Sequence, residues 1–387
     1  MWLTVNELSL IDFYRKNEFS PVRQEIPDLN HHFERRASLY RNLGILPAFI
    51  HGRTVLEVGP GSGHNSLFTA SLKPEQFILI EPNPQGVNDI HDLFNQYHLW
   101  SAKIKVISQT IEEYQDDRTY DFVFCEGLLG AAGVPDPGFL FKALAKFVSP
   151  GGVLIITCMN ETATLSELLR RLIAHMLLRD GDTLNEKVMT LLPIFSPHLA
   201  QLHGMTRRHD DWIIDNLINP TVCGQLFTIP DALSTLPDQF EFYASSPHFV
   251  SDWRWYKDIY GKEKEFTQRA LNQYWANFHN FIDYRYVFPP RDVLQNIKLY
   301  QLCKSIRLAI QKYEREKSDK ILSEIQKNLQ ECIIIVREFS PETASAMSEA
   351  LNLISHQPLE AAHVAKMTNF AAWFGRGQQY ISLNRLG

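Results

Sequence analysis

The 387-residue chain has no uncharged apolar run of membrane-spanning length, no internal repeat and no low-complexity tract. These absences argue against a helical membrane protein, a solenoid and a disordered tail. Cysteine is sparse: Cys125, Cys158, Cys223, Cys303 and Cys332 never fall into C-x-x-C spacing, and no zinc pattern occurs. Cys125 and Cys158 sit within apolar runs, so the thiols read as reduced core residues of a cytosolic protein. Basic residues are in deficit, with 38 Lys and Arg against 44 Asp and Glu for a formal net charge of -6. Without a basic stripe, a nucleic-acid backbone is not the expected partner. The N-terminus, Met1 to Glu7, lacks a basic region leading into an apolar run, so the chain is expected to be soluble and cytoplasmic, with no membrane partner.

What is present is concentrated at Thr54-Val-Leu-Glu-Val-Gly-Pro-Gly-Ser-Gly-His64-Asn65, which reads as a buried strand, a glycine-packed turn and the start of a helix. Gly59, Gly61 and Gly63 have no Cβ, so the backbone can adopt positive φ and approach a ligand, with the first helical amides facing it. A dinucleotide fingerprint needs G-x-G-x-x-G, and His64 stands where its last glycine belongs. The spacing is instead G-x-G-x-G, with Glu57 two residues ahead. Further apolar runs follow in turn: Phe77-Ile-Leu-Ile ending at Glu81-Pro82, Lys105-Val-Ile leading to Gln109 and Ile111, Tyr120-Asp-Phe-Val-Phe-Cys125 ending at Glu126, and Pro150-Gly-Gly-Val-Leu-Ile-Ile-Thr157. Alternating with helical segments, these predict a doubly wound parallel sheet, with polar groups collected at the carboxyl ends of the strands.

The glycine turn and the ordered strand ends resemble class I S-adenosylmethionine-dependent methyltransferases. The resemblance implies an α/β, Rossmann-like doubly wound sheet and S-adenosyl-L-methionine as cofactor. It places Glu57 beside the methionine moiety, the three glycines beneath the cofactor, and Glu81 on the ribose hydroxyls. Gln109 and Ile111 fall in the adenine loop, although Asp or Asn is more usual there. His64, Asn65, Pro82 and Glu126 complete the expected cofactor pocket.

Around a core at 51–160, the sequence predicts a helical N-terminal lid at 1–50, a helical cap at 161–237, a return strand at 238–255, a helical bundle at 256–372 and a closing strand at 373–387. In the lid, Tyr14, Arg15, His31, Arg35 and Tyr40 are candidates to face the pocket. Phe240 to Ala244 and Gln379 to Leu383 are expected to be strands six and seven. The C-terminal bundle, with helical periodicity over 293–310 and 321–330, is expected to serve packing or a homo-oligomer interface.

In the cap, His203-Gly-Met-Thr-Arg207-Arg208-His209-Asp210-Asp211-Trp212 gathers ionisable and aromatic groups. Asp210, Asp211 and Trp212, with Arg376 in the closing turn, are the candidate acceptor contacts. His-Asp-Asp runs more often open a helix than hold a metal, and no metal is expected. Methyl transfer from a sulfonium is an in-line displacement that needs alignment and exclusion of water. An oxygen or nitrogen acceptor must also lose a proton. Among His64, Glu126 and His209, the cap histidine is the candidate base. The expected activity is methyl transfer to O or N of a small or medium polar acceptor, with a sugar or nucleotide-linked sugar suggested by the 33–45 lead, the extended cap and the 373–380 ending. A non-catalytic cofactor-binding or scaffold protein and a nicotinamide oxidoreductase are the alternatives.

Overall fold

The computed structural model describes residues 10–17, 20, 23–129, 134, 136–223, 225–356 and 358–387. The first nine residues of the expected lid lie outside that set, as does the side chain of Cys223. The chain divides into two compact units, one comprising 1–159, 221–274 and 378–387, the other 160–220 and 275–377.

The first unit holds a seven-stranded sheet. Its strands are β1 (Thr54–Val58), β2 (Gln76–Ile80), β3 (Ile104–Ile107), β4 (Tyr120–Cys125), β5 (Val148–Cys158), β6 (Phe240–Ser246) and β7 (Gln379–Arg385), in the order β3-β2-β1-β4-β5-β7-β6. The first five pair in parallel, and β7 runs antiparallel between β5 and β6. Four consecutive residues in each of β1 and β2 are buried, the pattern of strands covered on both faces. Leu67 and Phe68 of helix Ser66–Ser71 join Val55, Phe77, Phe94 and Phe124 in one apolar cluster. The strand order reverses between β1 and β4, and at such a switch point the connecting loops part to leave a crevice at the carboxyl ends. The expected strands six and seven are present as β6 and β7, and the latter fills the slot between β5 and β6.

Helix Leu29–Asn42 leads into this sheet. Asp28 caps it by accepting the Asn30 and His31 N–H groups, which satisfies donors that have no intrahelical partner. Its buried residues are His32, Arg36 and Tyr40, one face at a spacing of four.

The second unit is helical. Its main elements are Leu165–Leu177, Leu184–Leu199, Val293–Arg315, Asp319–Arg337 and Pro341–Ser355, with the short helix His209–Ile213 running into a π-helical turn at Ile214–Ile218. In Asp319–Arg337 the buried positions Ile321, Ile325 and Leu329 form the stripe expected over 321–330, and Cys332, Ile333 and Val336 extend it. Arg170 is fully buried here. It donates to the carbonyls of Ser166, Phe370, Ala371 and Trp373 and lies 4.0 Å over the Phe374 ring, so the charge serves as internal glue for the bundle. Among the described residues, no helix is long and apolar enough to cross a membrane.

Candidate functional site

The glycine turn leaves β1 at the switch point, with Gly59, Gly61 and Gly63 at φ of 71°, 58° and 77°, values that a side chain would strain. Glu81, one residue beyond β2, locks this turn from below. Its two carboxylate oxygens accept the N–H groups of Gly61 and Asn83, each at 2.8 Å. A carboxylate offers about four lone-pair sites, so acceptor capacity remains for ligand hydroxyls. Burial pushes Glu81 up to about 7 against the pull of those two amides. Gly86 closes the cradle, because a Cβ there would stand 2.9 Å from the Gly61 carbonyl oxygen and 3.0 Å from Glu81 Cγ.

Glu57 lies near the end of β1 and is 3% exposed. Its Oε2 has no hydrogen-bond partner. Burial, and then the neighbouring Glu126, push its carboxyl up to about 8. Once ionised, a buried acid with an orphaned oxygen is the donor-seeking group that a ligand ammonium would satisfy. Glu126, one residue past β4, pairs in bidentate fashion with Arg36, at 2.8 and 2.5 Å. Burial opposes the Arg36 charge, but Glu126 more than offsets it and holds the guanidinium above its usual range.

The polar neighbours extend this arrangement within the sheet unit. Asn65 Nδ2 reaches Glu126 at 3.4 Å, while Asn65 Oδ1 accepts from Gln24. Gly127 N–H donates to Thr157 Oγ1 at 2.6 Å, and Thr157 stands opposite Tyr380 in the β5–β7 register. Burial, and then Glu126, raise the Tyr380 phenol above its usual range. His64 is buried, with Nδ1 2.8 Å from Ser62 Oγ, and His32 Nε2 stands 3.0 Å from its carbonyl oxygen. Burial, and then His32, pull the His64 imidazole down to about 4, so it is neutral at pH 7. Pro82 receives the Arg15 guanidinium on its carbonyl at 2.9 Å. Ile111 is buried in the loop after β3 and Gln109 is exposed.

Glu57, Gly59, Gly61, Gly63, His64, Asn65, Glu81, Pro82 and Glu126 thus gather at the ends of β1, β2 and β4. The remaining candidates belong to the helical unit. His209 opens its short helix half-buried, and Asp210 pairs with Arg208 at 2.6 Å. Asp211 is buried, and Trp212 packs into the unit's apolar core. Arg376 donates to the carbonyls of Asn280, Asp283, Tyr284 and Tyr286. Among the described residues, no three His, Cys, Asp or Glu side chains group as metal ligands.

The sequence reading singled out Arg35, although Arg36 is the residue that turns inward. The spacing His32, Arg36, Tyr40 carried that signal, since residues four apart share a helical face. Gly86 and Tyr380 were also missed. Gly86 gave no local signal, as its role depends on the approach of a turn 25 residues earlier.

The sheet order, the glycine turn and the paired strand-end acids agree with the expected resemblance to class I S-adenosylmethionine-dependent methyltransferases. Residues 29–198 match the family model described as a methyltransferase domain. The sequence is similar to the ubiquinone biosynthesis O-methyltransferase of Vibrio atlanticus, with 29% identity over 153 residues, 38% of this chain and 56% of that protein. It is also similar to the tRNA1(Val) (adenine(37)-N6)-methyltransferase of Shewanella halifaxensis, with 23% identity over 174 residues, 38% of this chain and 70% of that protein. The chain thus spans little more than half the length of the Vibrio relative. Among solved structures, PKMT2 from Rickettsia typhi in complex with AdoHcy aligns over 62% of this chain and 50% of its own, with 13% identity and a TM-score of 0.40.

Proposed function

We propose that the protein is an S-adenosylmethionine-dependent methyltransferase acting on an oxygen or nitrogen of a small or medium polar acceptor. The observation that carries this reading is Glu81, which at the end of β2 is bound to the Gly61 N–H beyond the end of β1, beside the strand-order switch, and keeps acceptor capacity beside the glycine turn. In this reading Glu81 accepts the ribose hydroxyls, Glu57 faces the amino group of the methionine moiety, and the Arg36–Glu126 pair sets the charge beside it. The bound cofactor supplies an electrophilic methyl on sulfur. The chain's own residues align the acceptor, exclude water and accept the acceptor's proton, with His209 proposed as the base and Asp210 and Asp211 as acceptor contacts, whereas the core packing of Trp212 and the four carbonyls on Arg376 give those two a structural role instead.

A hydroxyl-bearing sugar or nucleotide-linked sugar heads the acceptors to be tested. The names of the Vibrio and Shewanella relatives add the oxygen acceptors of ubiquinone biosynthesis and a tRNA adenine to the panel. The test is release of S-adenosylhomocysteine by the purified chain with nucleotide sugars, polar alcohols and amines, phenols and tRNA. Acceptor-dependent release supports the reading. Tight cofactor binding with no release across the panel favours the scaffold alternative.

A further inference from the structure

Between β6 and helix Phe266–Asn277 the sheet unit extends a loop whose aromatic rings lie in water. Trp253 is 94% exposed, Trp255 62%, Tyr256 73% and Tyr260 71%. Four such rings within eight residues far exceed the scattered apolar exposure that an ordinary surface carries. The backbone beneath them is tied down. Gln273 brackets Ser251 by accepting its N–H at 2.8 Å and donating to its carbonyl at 2.7 Å. Arg254 pairs with Asp252 and donates to the carbonyls of Glu263 and Lys264. Trp255 and Tyr256 stack with ring centroids 6.0 Å apart, and Lys257 Nζ lies 5.9 Å from each centroid. The backbone that carries the rings is therefore anchored at Ser251 and Arg254.

The chemistry of the loop selects its partner. Arg254, Lys257, Lys262 and Lys264 are matched by Asp252, Asp258, Glu263 and Glu265, so residues 251–265 carry no net charge. Docking on a nucleic-acid backbone or an anionic lipid surface depends on excess positive charge, which this loop lacks. Tryptophan and tyrosine, each with an apolar ring and a polar tip, are the side chains suited to the boundary between lipid headgroups and acyl chains. Interspersed charges of both signs match a zwitterionic headgroup layer. We propose that the 251–265 loop docks the protein on a zwitterionic lipid surface by shallow insertion of Trp253, Trp255 and Tyr256. This departs from the expectation, drawn from the lack of long apolar runs, of a protein with no membrane partner, because an interfacial loop needs no such run.

The experiment is flotation of the full chain with phosphatidylcholine vesicles, together with tryptophan quenching by phosphatidylcholine brominated on its acyl chains. The wild-type chain should float and be quenched, and partition should persist at about 1 M salt, where exposed charges are screened. A Trp253→Ser, Trp255→Ser double variant should lose at least about tenfold in partition and lose the quenching, with circular dichroism and S-adenosylhomocysteine affinity unchanged. No flotation of the wild type, equal flotation of the variant, or binding abolished by salt would each overturn the proposal. So would tryptophan-dependent binding to a soluble polysaccharide without quenching by brominated lipid, which would assign the rings to glycan stacking.

Discussion

Replacing Glu57 with glutamine keeps the shape of the side chain and removes its charge. In the folded protein this carboxyl is pushed up to about 8 from an ordinary 4.5, by burial and then by Glu126. Between those values the folded chain keeps a proton that the unfolded chain has lost, so stability falls as pH rises through the window. At about 1.4 kcal/mol per pH unit, less the flattening near pH 8, the wild-type chain without cofactor should lose about 2 kcal/mol between pH 6 and pH 8 through this group. Glu57→Gln has no proton to lose there, so its stability relative to wild type should rise by that amount over the same range. Urea unfolding of both proteins at pH 6, 7 and 8, with cofactor absent, measures the difference. Saturating S-adenosylmethionine should then stabilise the wild type more than the variant at pH 8, because the ionised acid gains an ammonium partner. A wild-type minus variant difference that stays constant from pH 6 to pH 8 would show that Glu57 is not held protonated and would refute the reasoning.

Glu81→Ala removes two charge-assisted bonds to the Gly61 and Asn83 amides and strands both donors, at about 1 to 3 kcal/mol for each donor left unsatisfied. Titration calorimetry should give cofactor affinity at least about tenfold weaker in the folded variant, and unchanged affinity would remove Glu81 from the site. Arg36→Met leaves Glu126 buried without its guanidinium partner, a change expected to cost about 3 to 5 kcal/mol. The Arg36→Met, Glu126→Gln double variant should recover part of that loss in chemical denaturation, and strict additivity would show the pair to be uncoupled. His209→Ala should lower turnover by about 10²- to 10⁴-fold with cofactor affinity near wild type. A rate within a few-fold of wild type would leave the proton to another acceptor.

The sheet was legible because each parallel strand writes itself as an apolar run closed by a polar residue, and Glu57, Glu81 and Glu126 could be assigned to strand ends by position alone. The glycine turn was legible for a similar reason: closely spaced glycines ahead of a helix signal a backbone that must approach something. Features that depend on distant partners were not legible. The Glu126–Arg36 pair joins residues 90 positions apart, and nothing local to Glu126 identifies its counterion. The π-turn at Ile214–Ile218 ends with the Asn219 N–H on the Ile214 carbonyl, a pattern that the 3.6-residue period does not encode. Pro193 and Pro197 lie inside helix Leu184–Leu199, where local rules predict a break. The exposed rings of residues 253–260 carry no periodicity, and only their accessibility in the folded chain distinguishes them from core aromatics.

The central claim is that the glycine turn and its flanking acids form a cradle for S-adenosylmethionine. Titration calorimetry of the full chain with S-adenosylmethionine, S-adenosylhomocysteine and NAD tests it most directly. The account predicts saturable binding of the first two at one site per chain and none of NAD. Absence of binding by either sulfur nucleotide, or binding of NAD in their place, would contradict it.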